Sequence, residues 1–576
     1  MFYTLEEQIE RKLGKVFDEL GLDKKYAVIK NSDRPDLSDF QCNAALALAK
    51  IEKKNPRQIA ENIAAKLSVD EDFEKISVDG PGFINLSLNN VFLAQNVDDI
   101  CGDERCGCPC VDEKKTIVLD YGGPNVAKEM HVGHLRSGVI GESMRRIEKF
   151  VGNNVISDVH FGDWGTPIGM ILAEVIAHDG NLDKMESYDI ADITAFYKKA
   201  NIRCKEDEKS KETARIITAK FQDGDDEYMK AWKHIRKVSV DAVKENYKEL
   251  GVHFDLWLGE SDAHKTCFEI KKIAEDKGLL EFDDGAYIIR LDEENKPKPP
   301  VIIEKSDGGF TYQATDLATI KMRVDDLSAD EIIYFTDKRQ QLHFEQVFEA
   351  AEKLGIALNT KLKHIGFGTV NGSDGKPFKT RDGGVMTLVD MIKMSKEKVA
   401  ESMPKAGDES GFSAEEIEKL VNQVTIGAIK FQDLKNNIAS GYIFDLEDFA
   451  NFEGKTGPYI QYAVARINSI MRKNPDIKME KIVVSNIEER NLMLKIAQFG
   501  NVIFRAEQEK EPSIISDYAY NLAQSFSVFY NASSIKDADS AEIAGSRLKL
   551  AKLTKDVLTK ALFLLGIETP EVMPKA

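Results

Sequence analysis

Apolar residues fall at helical spacing from the beginning of the chain: Leu5, Ile9, Leu13 and Val16 share one face of a helix that Thr4 and Glu7 open as a capping box. The pattern turns strand-like in Pro81-Gly82-Phe83-Ile84-Asn85-Leu86-Ser87-Leu88, so residues 1–110 predict a small α+β domain ending in a Gly/Pro-punctuated linker. From Lys115 a strand at 116–120, a helix running to Phe150, a strand near 155–160 and a helix from Pro167 follow one another. Such a βαβα order builds a parallel sheet, because parallel neighbours need a crossover between them. A charged helical stretch without strand signals begins near residue 181, and strands return at 286–290, 331–335 and 364–368. The insertion is read as about 181–285, within a sheet domain of 111–405. Beyond Ser413 every periodic segment is helical, and residues 406–576 predict an all-α helical bundle.

Composition narrows this picture only a little. The 576 residues, 42% of them hydrophobic, can fill several cores, and no repeat or heptad array is present. Residues 1–7 lack a basic and then apolar leader, and no segment is apolar for long enough to span a bilayer; a soluble, cytoplasmic protein with no membrane partner is expected. Seven cysteines are too sparse for a disulfide framework. Four of them crowd into Cys101-Gly102-Asp103-Glu104-Arg105-Cys106-Gly107-Cys108-Pro109-Cys110, a spacing too tight to wrap one tetrahedron, so no structural metal is expected. The net charge of −19 argues against a sequence-blind polyanion binder, while local basic and aromatic patches can still hold a nucleic acid.

The chemistry concentrates after the strand at 116–120, where His131-Val132-Gly133-His134 opens a helix with Leu135, Val139, Ile140, Met144 and Ile147 at helical spacing. Unpaired backbone N–H groups and the helix dipole favour phosphate at such a start, and Gly133 spares a nucleotide the clash with a Cβ. The imidazoles can donate to charge developing on an α-phosphate. Two histidines here could also cap the helix, pack on the sheet or bind a metal. The run Pro124-Asn125-Val126-Ala127-Lys128-Glu129-Met130-His131-Val132-Gly133-His134-Leu135-Arg136-Ser137 resembles the HIGH segment of class I aminoacyl-tRNA synthetases, and in its longer form that of arginyl-tRNA synthetases. Gly162-Asp163-Trp164-Gly165 is similar to the same family, and places one of three tryptophans at the sheet edge where an open α/β fold binds its ligand.

The resemblance covers nearly the whole chain and implies a multidomain α/β enzyme: an N-terminal α+β domain, a Rossmann-like parallel-sheet catalytic domain with a helical insertion and a C-terminal all-α bundle. It implies that ATP and L-arginine give arginyl-adenylate, that the arginyl group passes to the terminal adenosine of tRNA(Arg), and that tRNA is bound before activation proceeds. Magnesium accompanies ATP on its phosphates. A monomer is expected.

Class I synthetases pair HIGH with a mobile lysine loop. Lys393-Met394-Ser395-Lys396 matches that loop literally, yet it falls inside a helix that Thr387 and Asp390 can open, with Leu388, Met391, Ile392 and Val399 on one face. Asp374-Gly375-Lys376-Pro377-Phe378-Lys379-Thr380-Arg381-Asp382-Gly383-Gly384 instead follows a strand ending at Val370, with glycines at both ends and three cations for the β- and γ-phosphates. The resemblance implies that Lys128, just upstream of HIGH, compensates for this degenerate loop. Catalysis is thus assigned to Lys128, His131, His134, Lys376 and Lys379, and ATP contacts to Pro124, His131, Gly133, His134, Gly368, Val370 and Arg381.

A guanidinium is planar and permanently charged, so its pocket needs a carboxylate and flat partners. Tyr312 and Asp316 stand one turn apart at a predicted helix start. The resemblance adds Asn125, and Gln340 in Arg339-Gln340-Gln341-Leu342-His343. In the C-terminal bundle, Tyr459, Tyr462 and Arg466 offer stacking faces and a cation to an unstacked anticodon base, although an aromatic stripe at this spacing also suits a core; the resemblance implies the anticodon role and extends to Met573, with Tyr530 a further candidate. Phe83 and Asn85 lie where the family's N-terminal module meets the tRNA D-loop. A cysteinyl enzyme would show zinc ligands around its pocket, a glutamyl enzyme basic residues at 312 and 316, and a noncatalytic tRNA-binding relative would have lost the histidines.

Overall fold

The computed structural model describes residues 3–291, 298–306, 308–372, 375, 386–404, 411–445, 449 and 451–574. The chain divides into two compact units, the first holding Met1–Cys110 and Asn451–Ala576, the second Val111–Asp408 and Phe412–Ala450.

In the first unit Thr4 and Glu7 close both halves of the capping box (3.2 and 2.8 Å), and the Leu5–Leu20 helix buries Leu5, Ile9, Leu13 and Phe17. It packs against the Pro56–Leu67 helix, and the same unit holds an antiparallel sheet whose strands run in the order Lys30–Asn31, Phe40–Cys42, Phe83–Leu88, Phe73–Asp79. The helices Gly457–Lys473, Ile487–Ala497, Phe499–Glu509, Ser513–Ala532 and Ala541–Leu564 complete the same unit. Arg490 joins the two parts with a two-pronged pair to Asp39 (2.8 and 2.7 Å) and a third bond to the Leu88 carbonyl. Lys549 and the Ile482 N–H both meet Asp98. A fork of this kind, largely out of water, holds better than an exposed ion pair. In the linker, burial pushes the Cys106 and Cys108 thiols up to about 12, which keeps them protonated.

The second unit carries a four-stranded sheet, parallel throughout, in the order Lys361–Phe367, Glu331–Asp337, Thr116–Tyr121, Asn154–Asp158. The chain leaves Thr116–Tyr121 toward one edge and later returns on its other side. This reversal opens a crevice at the carboxyl ends of the two central strands, where open α/β sheets bind ligands. The expected strand near 286–290 pairs elsewhere, in a small antiparallel sheet of Leu280–Asp283, Ala286–Ile289 and Val301–Glu304. Residues 412–450, which the hydrophobic pattern grouped with the helices after them, are compact with the sheet. At the floor of the crevice Asp120 and Asp158 end neighbouring strands, and Arg323 donates to both (2.6 and 2.8 Å). With His160 these acids are the only group among the described residues whose ligand atoms converge as a metal site would, and the Arg323 guanidinium already balances them. No described helix is long and apolar enough to cross a membrane.

Candidate active site

The Thr116–Tyr121 strand hands over to the Val132–Val151 helix through a tight passage. A Cβ on Gly123 would lie 2.6 Å from the His160 carbonyl, and Ala127 takes a left-handed conformation (φ 63°) with its N–H on Ser239 Oγ. His131 is the N-cap, and the two histidines cap the helix reciprocally: Gly133 N–H donates to His131 Nδ1 (3.0 Å) and His131 N–H to His134 Nδ1 (3.1 Å). A ring nitrogen that accepts a backbone N–H carries no proton, so the N–H of each neutral ring sits at Nε2. Burial first, then its neighbours' charge, pushes His134 down to about 3; burial and Lys128 lower His131 as well. Two neutral rings, each with its N–H at Nε2, thus stand with their centres 4.0 Å apart.

This corrects one expectation. The first-turn backbone donors are not open to phosphate: Val132 N–H is bound by the Met386 carbonyl, Gly133 by His131 Nδ1 and His134 by the His131 carbonyl. Gly133 also makes room for a side chain, since its Cβ would sit 2.7 Å from His131 Cε1.

The described residues on either side of the glycine-flanked lysine segment are held near this helix. Leu388 N–H reaches the Met130 carbonyl, and His131 pairs with Thr387. At the other end, Arg136 donates to the carbonyls of Gly368 (2.9 Å) and Ser440 (2.7 Å) and pairs with buried Asp433. Val370 is buried beside Tyr442, and a Cβ on Gly368 would strike the backbone of Ser440 and Gly441 at 2.4 Å, so that glycine serves a close chain crossing. Pro124 is buried, its carbonyl meeting Gly162 N–H. Lys376, Lys379 and Arg381 lie outside the described residues. The literal Lys393–Lys396 stretch is inside the Leu388–Glu401 helix, with Ser395 buried and Lys396 paired to Glu249 (2.7 Å). Lys128 rests its ammonium 4.8 Å from the centre of the Tyr197 ring, offered by the inserted Ile190–Glu206 helix.

Tyr312, 59% exposed, begins the Tyr312–Leu327 helix, and Asp316 follows one turn later. Asn125 bridges to Gly162, where any Cβ would lie 2.1 Å from its Oδ1. Gln340 is exposed, and the residue of its segment that meets Asp316 is His343. Glu260 opens the Glu260–Asp276 helix; burial first, then the charges of Asp163 and Asp316 against that of His160, raises its carboxyl to about 7. Sequence reasoning missed Glu260, because an acid in a first helical turn is the ordinary complement to the helix dipole. The Gly259-Glu260 step at a helix start was the available signal.

Trp164 is 9% exposed and packs among Phe221, Trp232 and His264, rather than presenting its ring at the ligand edge. Its neighbour Asp163 accepts from Arg236 (2.6 Å) and from Ser261 N–H and Oγ–H. The motif therefore ties the inserted helices to the sheet. In the first unit, Arg466 lies 4.8 Å over the Tyr530 ring and Tyr459 5.5 Å from Tyr520, with Tyr462 half-buried on the same helix. Phe83 is half-buried. Asn85 is 6% exposed and is held by Gln41 and Asp79. Met573 is 8% exposed, a packing position.

Three family models match the chain: Arginyl tRNA synthetase N terminal domain over residues 3–88, tRNA synthetases class I (R), catalytic domain, over 96–446, and DALR anticodon binding domain over 460–573. Arginine–tRNA ligase of Francisella tularensis subsp. tularensis is 42% identical over 591 residues, covering 99% of this chain and 100% of that one. The Alkaliphilus oremlandii arginine–tRNA ligase is 43% identical over 587 residues, with the same coverage. Among solved structures, arginyl-tRNA synthetase from Plasmodium falciparum superposes with a TM-score of 0.85 at 26% identity over 100% of both chains. The Thermus thermophilus arginyl-tRNA synthetase gives 0.81 at 22%, over 99% of this chain and 100% of that one, and speaks to the fold alone. With a catalytic-domain match over more than half its length and full-length relatives above 40% identity, the chain belongs to the arginyl-tRNA synthetase family of class I aminoacyl-tRNA synthetases.

Proposed function

We propose that this chain is an arginine–tRNA ligase, which activates L-arginine with ATP and transfers it to the 3′-terminal adenosine of tRNA(Arg). The observation that carries the reading is the pair of neutral imidazole donors at the start of the helix that follows the Thr116–Tyr121 strand; the acids Asp316 and Glu260, which feel each other's charge, supply the counterpart for a cation. His131 and His134 donate from Nε2 to the α-phosphate oxygens as the arginine carboxylate attacks, while Lys128, Lys376, Lys379 and Arg381 offset charge on the β- and γ-phosphates. Magnesium enters on the nucleotide. Asp316 and Glu260 pair with the guanidinium, with Tyr312 beside them and Asn125 at the strand end. Tyr459, Tyr462 and Arg466 serve the anticodon, and Phe83 the D-loop; Asn85 and Met573 support those surfaces from within. The same reading includes a cytoplasmic monomer organised as an N-terminal tRNA-recognition domain, a catalytic domain with its insertion and an anticodon-binding bundle.

Pyrophosphate exchange with each of the twenty amino acids, with and without tRNA(Arg), tests it. Exchange is expected with arginine alone and only when tRNA is present; exchange with cysteine or glutamate, or none with any amino acid, defeats the proposal.

Glu260 adds a pH dependence. Its carboxyl is raised to about 7, so in the empty pocket it is protonated below that pH, and an arriving cation must displace the proton. Arginine affinity therefore rises as pH rises toward 7 and levels off above it. The arginine KM in aminoacylation is expected to fall about tenfold between pH 6 and 8 and to lose that slope in Glu260→Gln. An equal slope in the variant removes Glu260 from the pocket.

A further inference from the structure

His343 Nε2 lies 2.5 Å from Asp316 Oδ2. The imidazole N–H donates and the carboxylate oxygen accepts, in a contact shorter than the usual N–H···O hydrogen bond. The partners come from different helices, Asp316 from Tyr312–Leu327 and His343 from Gln341–Leu354, and both side chains are mostly out of water. The His343 ring is itself backed edge-on by Phe344, at 5.2 Å between centres. A lone Asp side chain on a helix can turn about both its torsions. Tied at Oδ2 to a packed ring, it holds one orientation and keeps Oδ1 for a second donor.

Orientation matters for one class of ligand more than for another. A guanidinium is a planar fork that gains its second hydrogen bond only if the carboxylate plane is fixed, whereas an ammonium is a point charge satisfied by any orientation. We infer that His343 is the positioning residue that makes the pocket select a planar guanidinium over a side-chain ammonium, by fixing the carboxylate of Asp316. The inference rests on the assignment of Asp316 to the guanidinium.

The test uses the full-length chain with tRNA(Arg). His343→Ala is expected to raise the arginine KM about tenfold or more while kcat and the ATP KM stay within about twofold. Inhibition by ornithine, an ammonium competitor, is expected to change by less than about twofold, so that discrimination narrows. His343→Gln, whose amide Nε2–H reaches a similar position, is expected to restore the arginine KM to within about twofold. On an Asp316→Asn background, His343→Ala is expected to add nothing. An unchanged arginine KM in His343→Ala, with a raised one in Asp316→Asn, overturns the inference and leaves the pocket assignment standing. An unchanged KM in Asp316→Asn removes the pocket assignment itself. Equal losses in His343→Ala and His343→Gln, with kcat falling alongside, assign His343 to packing only and overturn the inference.

Discussion

Lys128→Ala is expected to slow arginine-dependent pyrophosphate exchange by about two to three orders of magnitude, whereas Lys393→Ala is expected to stay within about twofold of the wild type. The two lysines differ in what their charge can reach. Lys128 lies three residues before the helix N-cap, and beside burial its ammonium lowers the pKa of both His131 and His134, so its field is already felt at both imidazoles. The Tyr197 ring face holds it there without neutralising it, as a carboxylate would. Lys393 is exposed on the Leu388–Glu401 helix, whose Thr387 cap and buried Met391, Ile392 and Ser395 fix it in place, and a helical lysine cannot follow phosphates through a reaction. The loss in Lys128→Ala should appear in kcat for activation, because charge builds on the leaving pyrophosphate only as the bond breaks. Near-wild-type exchange in Lys128→Ala, or a collapse in Lys393→Ala, would reverse the assignment of the two segments.

Much of the fold was legible because its signals are local. The capping box at Thr4 and Glu7, the helix that encloses Lys393–Lys396 and the βαβα order after Lys115 each declare themselves within a few residues, and each has a counterpart in the structure. What escaped depends on distant pairings. Asp39 and Arg490 are 451 residues apart and share no pattern, yet their fork helps gather both ends of the chain into one unit. Arg136 and Asp433 similarly hold the Ala414–Leu434 helix to the sheet unit. At the site, the histidines could be found from their run of neighbours, whereas their tautomers could not, since these follow from which backbone N–H each ring accepts. His343 had no local mark and Glu260 only the Gly259-Glu260 step at its helix start: each stands out through its neighbour Asp316.

The histidine pair supplies the second large effect, and its geometry lets cap and donor be separated. His134 has two nitrogens: Nδ1 accepts the His131 N–H, and Nε2–H is the donor that the proposed mechanism offers to the phosphate. An asparagine places its Oδ1 where Nδ1 stands but falls short of Nε2; a glutamine amide reaches the Nε2 position and gives up the cap. His134→Ala and His134→Asn are therefore both expected to lose about two to three orders of magnitude in kcat for arginine activation, with His134→Gln distinctly more active than either. Urea stability should rank the other way, His134→Asn retaining about 1 kcal/mol that the alanine and glutamine variants lose with the cap. Because burial pushes His134 down to about 3, it stays neutral across the working range, and its donor is not lost as pH falls from 8 to 5. The same depression means that the unfolded chain, with an ordinary histidine, binds the proton more readily than the folded one below about pH 6.5. Stability due to this residue is then full above that pH and declines toward pH 3, while any acid loss of activity down to pH 5 comes from other groups such as Glu260. Full activity in His134→Asn would show that the cap alone matters, and that the imidazole N–H does no chemistry on the phosphate.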